Sequence, residues 1–193
     1  MNVALVDLGY GNIGSVEIAL RRLGAEVLRT AEPGAIRAAD RVVLPGVGAA
    51  GYAMGRIEAL ALRETLTTLK QPLLGICLGM QLLFEASEED GAACLGLIPG
   101  KVRRLDPAPG LPVPHMGWSR LEARGDVPGL ATGDYVWFAH SFACDDGPWS
   151  TAVTDYGRPI PAAVRRKNVS GAQFHPERSS AAGARFLKAF LGS

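Results

Sequence analysis

The sequence predicts an α/β fold, with a mostly parallel central sheet, helices on both faces, and antiparallel hairpins from the C-terminal half. Three observations carry this. In the first half, short apolar runs alternate with amphipathic stretches, as in strand–helix–strand units whose sheet is covered on both sides. The apolar run Leu73-Leu74-Gly75-Ile76-Cys77 follows Pro72 and leads into an apolar-periodic stretch, as a buried strand leads into a helix. Beyond Pro107, Pro109, Pro112 and Pro114 the pattern changes to short strands separated by turns.

The elements follow in order. Residues 2–8 read as a buried first strand. Residues 15–23 read as a helix with Val16, Ala19, Leu20 and Leu23 on its apolar face, stopped at Gly24. Residues 26–29 and 41–44 are the second and third strands, the latter ending at Pro45-Gly46-Val47-Gly48. Residues 60–69 read as a helix, and the strand ending at Cys77 comes next. Short strands are then expected around Val102, Ser119, 135–138, 152–154, 162–166 and 169–174, with Arg165-Arg166-Lys167-Asn168 at a solvated hairpin tip. Residues 179–191 close the chain as an amphipathic helix. No repeat or low-complexity linker interrupts this order, so residues 1–193 are read as one domain, long enough to bury a real core.

Composition narrows the function. Hydrophobic residues are 48% and charged residues 20%, with a net charge of +1, so no basic surface for nucleic acid is indicated. No apolar run is long enough to span a bilayer, and Asp7 arrives too early for a signal peptide. The three cysteines, Cys77, Cys94 and Cys144, are odd in number and widely spaced, without a Cys-x-x-Cys. That pattern indicates neither a disulfide framework nor a metal site, and it fits a reducing, cytoplasmic setting. No cofactor is expected.

Two segments carry chemistry. Gly75-Ile76-Cys77-Leu78-Gly79 has the layout of a nucleophile elbow with sulfur at its centre. A sharp strand-to-helix turn crowds its neighbours, so Gly75 and Gly79 must lack a Cβ. The turn would lift the Cys77 thiol out of the sheet onto a helix N-terminus, which favours a thiolate. The Leu78 N–H would then face a developing oxyanion. Taken alone, Cys77 reads equally well as a buried cysteine. In Phe174-His175-Pro176-Glu177, the proline forces His175 to be extended. If Glu177 is extended too, both side chains share one face, and the carboxylate can fix the imidazole tautomer. Alone, this tripeptide reads more simply as a strand ending at a proline with a surface acid.

Other stretches are ambiguous. The glycine-rich Pro45-Gly46-Val47-Gly48-Ala49-Ala50-Gly51 lies at a strand's carboxyl end, where open α/β sheets bind ligands, but alone it is an ordinary turn. Gly9-Tyr10-Gly11-Asn12-Ile13-Gly14 fits G-x-G-x-x-G. No acid ends the second strand, though Arg29 could meet a 2′-phosphate, and the rest of the chain offers no nicotinamide partner. Trp118 reads either as a partly buried hairpin residue or as an aromatic anchor at a subunit interface. His140 reads as a packed core histidine.

With Cys77, His175 and Glu177 in this order, the chain resembles the class I (triad) glutamine amidotransferases, which implies their flavodoxin-like fold. Asp7-Leu8-Gly9-Tyr10-Gly11-Asn12, Leu44-Pro45-Gly46-Val47-Gly48, His115-Met116-Gly117-Trp118 and Phe138-Ala139-His140-Ser141 resemble, within that family, the glutaminase subunits of imidazole glycerol phosphate synthases of histidine biosynthesis. The resemblance implies L-glutamine as substrate, a Cys77–His175–Glu177 triad and an oxyanion hole at Val47, Gly48 and Leu78. It also implies glutamine binding by Gly46, Gly48, Gln81, Ser141 and Phe142, the last two through backbone. The implied partner is the cyclase subunit, a (β/α)8 barrel forming imidazole glycerol phosphate and AICAR, in a heterodimer touching Asn12, Pro114, Met116 and Trp118. The chain departs from the family at Phe142, where tyrosine is usual, and at Arg178, where lysine is usual. The alternatives are the glutaminase subunit of pyridoxal phosphate synthase and a catalytically silent interaction subunit of the same fold.

Overall fold

The computed structural model describes residues 1–11, 13–125 and 127–192. The first half runs β1 (Asn2–Val6), α1 (Gly14–Arg22), β2 (Glu26–Thr30), α2 (Pro33–Ala38), β3 (Arg41–Gly46), α3 (Ala50–Ala59), α4 (Arg63–Thr68), β4 (Leu73–Cys77) and the single turn α5 (Leu78–Gln81). The second half runs β5 (Ala86–Ser87), β6 (Lys101–Arg104), β7 (His115–Ala123), β8 (Tyr135–His140), β9 (Phe142–Cys144), β10 (Ser150–Asp155), β11 (Pro159–Arg166), β12 (Val169–Ala172) and α6 (Ser180–Gly192). One-turn 3-10 helices lie at Glu89–Gly91 and Pro176–Arg178.

Among the described residues, a nine-stranded sheet has the order β2-β1-β3-β4-β12-β11-β10-β7-β8. The strands β2, β1, β3, β4 and β12 are mutually parallel, in the flavodoxin-like order 2-1-3-4-5. The remaining pairs, β12–β11, β11–β10, β10–β7 and β7–β8, are antiparallel, as the hairpin pattern predicts. A second sheet, β5-β6-β9, lies beside them.

Strand alternation explains the two covered faces. Ala4 and Val6 of β1 share a core with Ile36 of α2, Ala53 and Ile57 of α3, and Leu66 of α4. Val3 and Leu5 point the other way, into a core with Val16 and Leu20 of α1 and Phe186 and Leu187 of α6. Helix α1 ends where the sequence predicts. The Gly24 N–H bonds the Arg21 carbonyl and the Ala25 N–H the Leu20 carbonyl, the paired closure of a Schellman motif.

Several expectations need correction. The helix expected over 60–69 spans only Arg63–Thr68, and α3 lies ahead of it, unpredicted. The buried stripe of α3 is Ala50, Ala53, Met54 and Ile57, a helical period masked by its small residues and two glycines. Helix α2 was also missed, although Pro33 in its first turn is a start signal. Strand β3 runs on through Pro45 and Gly46, which therefore belong to the sheet. The helix after Cys77 is one turn long, so what it offers the sulfur is local N–H groups rather than a long macrodipole.

Gly79 is the tightest point of the fold. A Cβ there would sit 1.9 Å from the Leu44 carbonyl oxygen of β3. Gly79→Ala should therefore destabilise the protein by about 3 kcal/mol or more. Gly55, in α3, has open space around it, and Gly55→Ala should stabilise by about 0.5–1 kcal/mol. Chemical denaturation midpoints check both signs.

Candidate active site

The site lies at the carboxyl ends of β3, β4 and β12, the edge of the sheet where this strand order places ligands. A cleft of about 500 Å³ there is lined by Val47, Gly48, Cys77, Leu78, Gln81, Pro114, Met116, His140, Ser141, Phe142, His175, Glu177 and Arg178, among others. That volume is in the range of small-molecule sites, about 300–1,000 Å³.

Cys77 adopts φ +55° and ψ −113° at the junction of β4 and α5. A non-glycine residue held there is strained by about 1–3 kcal/mol, so the surroundings must enforce it. They do so by close approach. Cβ atoms at Gly75 or Gly79 would fall 2.5 Å from the Gly79 carbonyl oxygen and 1.9 Å from that of Leu44. Gly46 joins them, since its Cβ would meet the Gly79 nitrogen at 2.6 Å. The elbow expected from Gly-x-Cys-x-Gly is thus present, with β3 packed against it.

His175 arrives at the same point after β12. Its backbone is extended before Pro176, as predicted, but Glu177 lies in the 3-10 turn Pro176–Arg178 rather than in an extended segment. The turn still brings the carboxylate round: Oε1 of Glu177 is 2.9 Å from Nδ1 of His175. The Glu177 side chain is only 5% exposed, so the surface-acid reading of His-Pro-Glu does not hold. Cys77 lines the same cleft as His175, and the sulfur acts on the titration of the imidazole. Burial pulls the His175 imidazole down, but the nearby Cys77 and the bonded Glu177 carboxylate outweigh it, and its pKa is pushed up to about 10. Because the folded value is raised, this interaction stabilises the fold fully below pH about 6.5 and fades as pH rises toward 10.

The other two cysteines sit elsewhere. Cys94 and Cys144 are buried and absent from the cleft lining, and burial pushes the Cys94 thiol up to about 11 and that of Cys144 well above the usual range.

Two residues missed by the sequence reading support the site. The Ser179 hydroxyl donates to the His175 carbonyl at 2.6 Å and accepts the Trp137 N–H at 2.9 Å, clamping the His175 backbone onto β8. Gln173 is buried, and its Nε2 lies 3.9 Å from the Cys77 sulfur. Its Oε1 accepts Nε2 of Gln81 at 2.9 Å. The signal for both was position: each flanks the Phe174-His175-Pro176-Glu177 segment.

Of the residues expected around glutamine, Gly48, Gln81, Ser141 and Phe142 line the cleft, whereas Gly46 is packed against Leu78 and Gly79. Both Nε2 hydrogens of Gln81 are used, one by Gln173 and one by the Phe142 carbonyl at 2.9 Å, so its amide oxygen is the atom left for a ligand. The Leu105 N–H donates to the Ser141 carbonyl. That bond makes Arg104–Phe142 a non-hydrogen-bonded pair of the β6–β9 ladder, so the Phe142 N–H points away from β6. Among the described residues the N–H groups of Val47 and Gly48 donate to no other group. Pro114 and Met116 line the cleft rim, and Met116 and Trp118 are 64% and 49% exposed on one face of β7. Asn12 lies outside the described residues. Arg29 is bonded to Asp7 at 2.9 Å, so it is not free for a nucleotide phosphate. His140 is packed as predicted.

A thiol on a strained elbow, an imidazole beside it and a carboxylate behind the ring can perform acyl transfer through a thioester. Residues 4–192 match the family described as "Glutamine amidotransferase class-I". The chain belongs to that family.

Within the family, it is 50% identical over 192 residues to the imidazole glycerol phosphate synthase subunit HisH of Idiomarina loihiensis, covering 99% of this chain and 97% of that protein. It is 45% identical to the HisH subunit of Vibrio cholerae over 199 residues, covering 98% of each. A crystal structure described as a glutamine amidotransferase superposes with a TM-score of 0.77 at 19% identity, over 99% of both chains, and this likeness speaks to the fold.

The Cys77 sulfur is the largest influence raising His175, so Cys77→Ala should bring the His175 titration down from about 10. Glu177→Gln should lower it too. Imidazole NMR titration of the two variants against the wild type checks both directions.

Proposed function

We propose that this chain is the glutaminase subunit of an imidazole glycerol phosphate synthase. It hydrolyses L-glutamine to glutamate and ammonia and passes the ammonia to a cyclase partner. The observation that carries the reading is that Cys77, His175 and Glu177 line one cleft, with the His175 ring bonded to Glu177 and its titration raised by Cys77. The HisH relatives, matched along the whole chain, support this role over that of the pyridoxal phosphate pathway.

The mechanism follows from the geometry. His175 holds the Cys77 proton, and the thiolate attacks the carboxamide carbon of glutamine. The oxyanion is taken by the N–H groups of Leu78, Val47 and Gly48. The His175 imidazolium gives its proton to the leaving ammonia, and the glutamyl group stays on sulfur as a thioester. His175 then draws a proton from water, the hydroxide cleaves the thioester, and the proton returns to the thiolate pair. Gly46 keeps β3 close to the elbow, and Gln81, Ser141 and Phe142 hold glutamine.

Ammonia released into bulk water becomes ammonium and is no longer a nucleophile. A sealed path to the partner prevents this, so the partner, a (β/α)8-barrel cyclase in this reading, docks over the cleft. The exposed Met116 and Trp118, with Pro114 and Asn12, form the docking side. The same reading takes residues 1–193 as one amidotransferase domain working in the cytoplasm. No helix among the described residues is long and apolar enough to cross a membrane. No cofactor takes part in this mechanism.

Cys77→Ala should abolish glutamine-dependent product formation, by about a thousandfold or more, while added ammonia still supports the partner's reaction. Retained glutamine turnover in this variant would contradict the mechanism. Trp118→Ala should weaken the complex at least about tenfold in Kd, measured by calorimetry.

A further inference from the structure

Two buried histidines lie behind the glutamine-binding backbone, and neither belongs to the triad. Nδ1 of His140 is 2.8 Å from the Phe142 carbonyl oxygen. Nε2 of His140 is 3.1 Å from Nδ1 of His115, and Nε2 of His115 is 2.8 Å from the Ser119 hydroxyl. A carbonyl oxygen can only accept, and because burial keeps both rings neutral, that fixes the direction of the whole chain. His140 donates from Nδ1 to Phe142. His115 donates from Nδ1 to His140. Ser119 donates to Nε2 of His115. Each histidine is then neutral with its proton on Nδ1, in agreement with burial, which pushes His115 down to about 4 and His140 to about 3. The His115 ring is pinned between Phe138 and Tyr156, with centroids at 4.7 and 3.9 Å.

The Phe142 carbonyl therefore accepts two bonds, from His140 and from Gln81, and both its lone pairs are used. In an extended residue the N–H and C=O point to the same side. The bonds that hold this carbonyl thus also aim the Phe142 N–H toward the side where Gln81 and His140 line the cleft.

We infer that His140, held in its tautomer by His115, is a positioning residue that fixes the Phe142 peptide groups for glutamine binding. The inference rests on the glutaminase reading above. It also accounts for the loss of the tyrosine hydroxyl at position 142: the backbone there is held from behind and does not depend on the side chain.

The test is steady-state glutaminase kinetics of the assembled complex. His140→Leu should raise the KM for glutamine about tenfold, the effect of one lost hydrogen bond, with a much smaller change in kcat. His140→Asn, whose side-chain N–H can stand in for Nδ1–H, should restore KM to within about twofold of the wild type. Nitrogen NMR at neutral pH should show His115 and His140 as neutral Nδ1–H tautomers. An unchanged KM in His140→Leu, a failure of His140→Asn to rescue, or a proton on Nε2 of His140 would overturn the role while leaving the glutaminase reading intact. A wild-type complex inert toward glutamine would overturn both together.

Discussion

The site depends on how closely the backbone of β3 passes the turn after Cys77. At Gly79 the space left is smaller than a methyl group, with the Leu44 carbonyl where a Cβ would be. Gly46 and Gly75 remove the neighbouring obstructions. This contact holds Cys77 at a positive φ that a cysteine would otherwise avoid. It also brings the free N–H groups after β3 to the same place as the sulfur. In the proposed mechanism, nucleophile and oxyanion donors are therefore set by one piece of packing rather than by two.

The partner groups come from far along the chain. Strand β12 pairs parallel with β4, so its carboxyl end opens beside Cys77, and His175 follows after three residues. Ser179 ties that segment to β8, and the 3-10 turn at Pro176 folds Glu177 back onto the imidazole. Neither step needs a long loop. The antiparallel half of the sheet has a second use: β7 and β8 bring His115 and His140 behind the Phe142 backbone, while the opposite face of β7 exposes Met116 and Trp118. One strand thus supports the cleft on one side and offers an apolar surface on the other.

Much of this was legible in the residues. The elbow was readable because a strand-to-helix turn this sharp excludes side chains, which leaves glycines at fixed spacing. The extended His175 was readable because proline restricts its predecessor. What could not be read was tertiary. Glu177 reaches His175 through a 3-10 turn, not through an extended strand. The stripe of α3 was hidden by alanine and glycine, which mark neither an apolar face nor a turn clearly. Gln173 and Ser179 could be suspected only from their position beside the Phe174-His175-Pro176-Glu177 segment, and the link between His115 and His140 joins residues 25 apart in sequence, so no local pattern announced it. His140 was correctly read as packed, but its packing is what gives it a function.

The central claim is that Cys77 takes the glutamyl group during turnover. Rapid acid quench of the complex during glutamine turnover, followed by peptide mapping by mass spectrometry, tests it directly. A glutamyl adduct is expected on the peptide containing Cys77, and none on Cys94 or Cys144. Steady glutamine hydrolysis with Cys77 unmodified at every quench time, or an adduct on another cysteine, would contradict it.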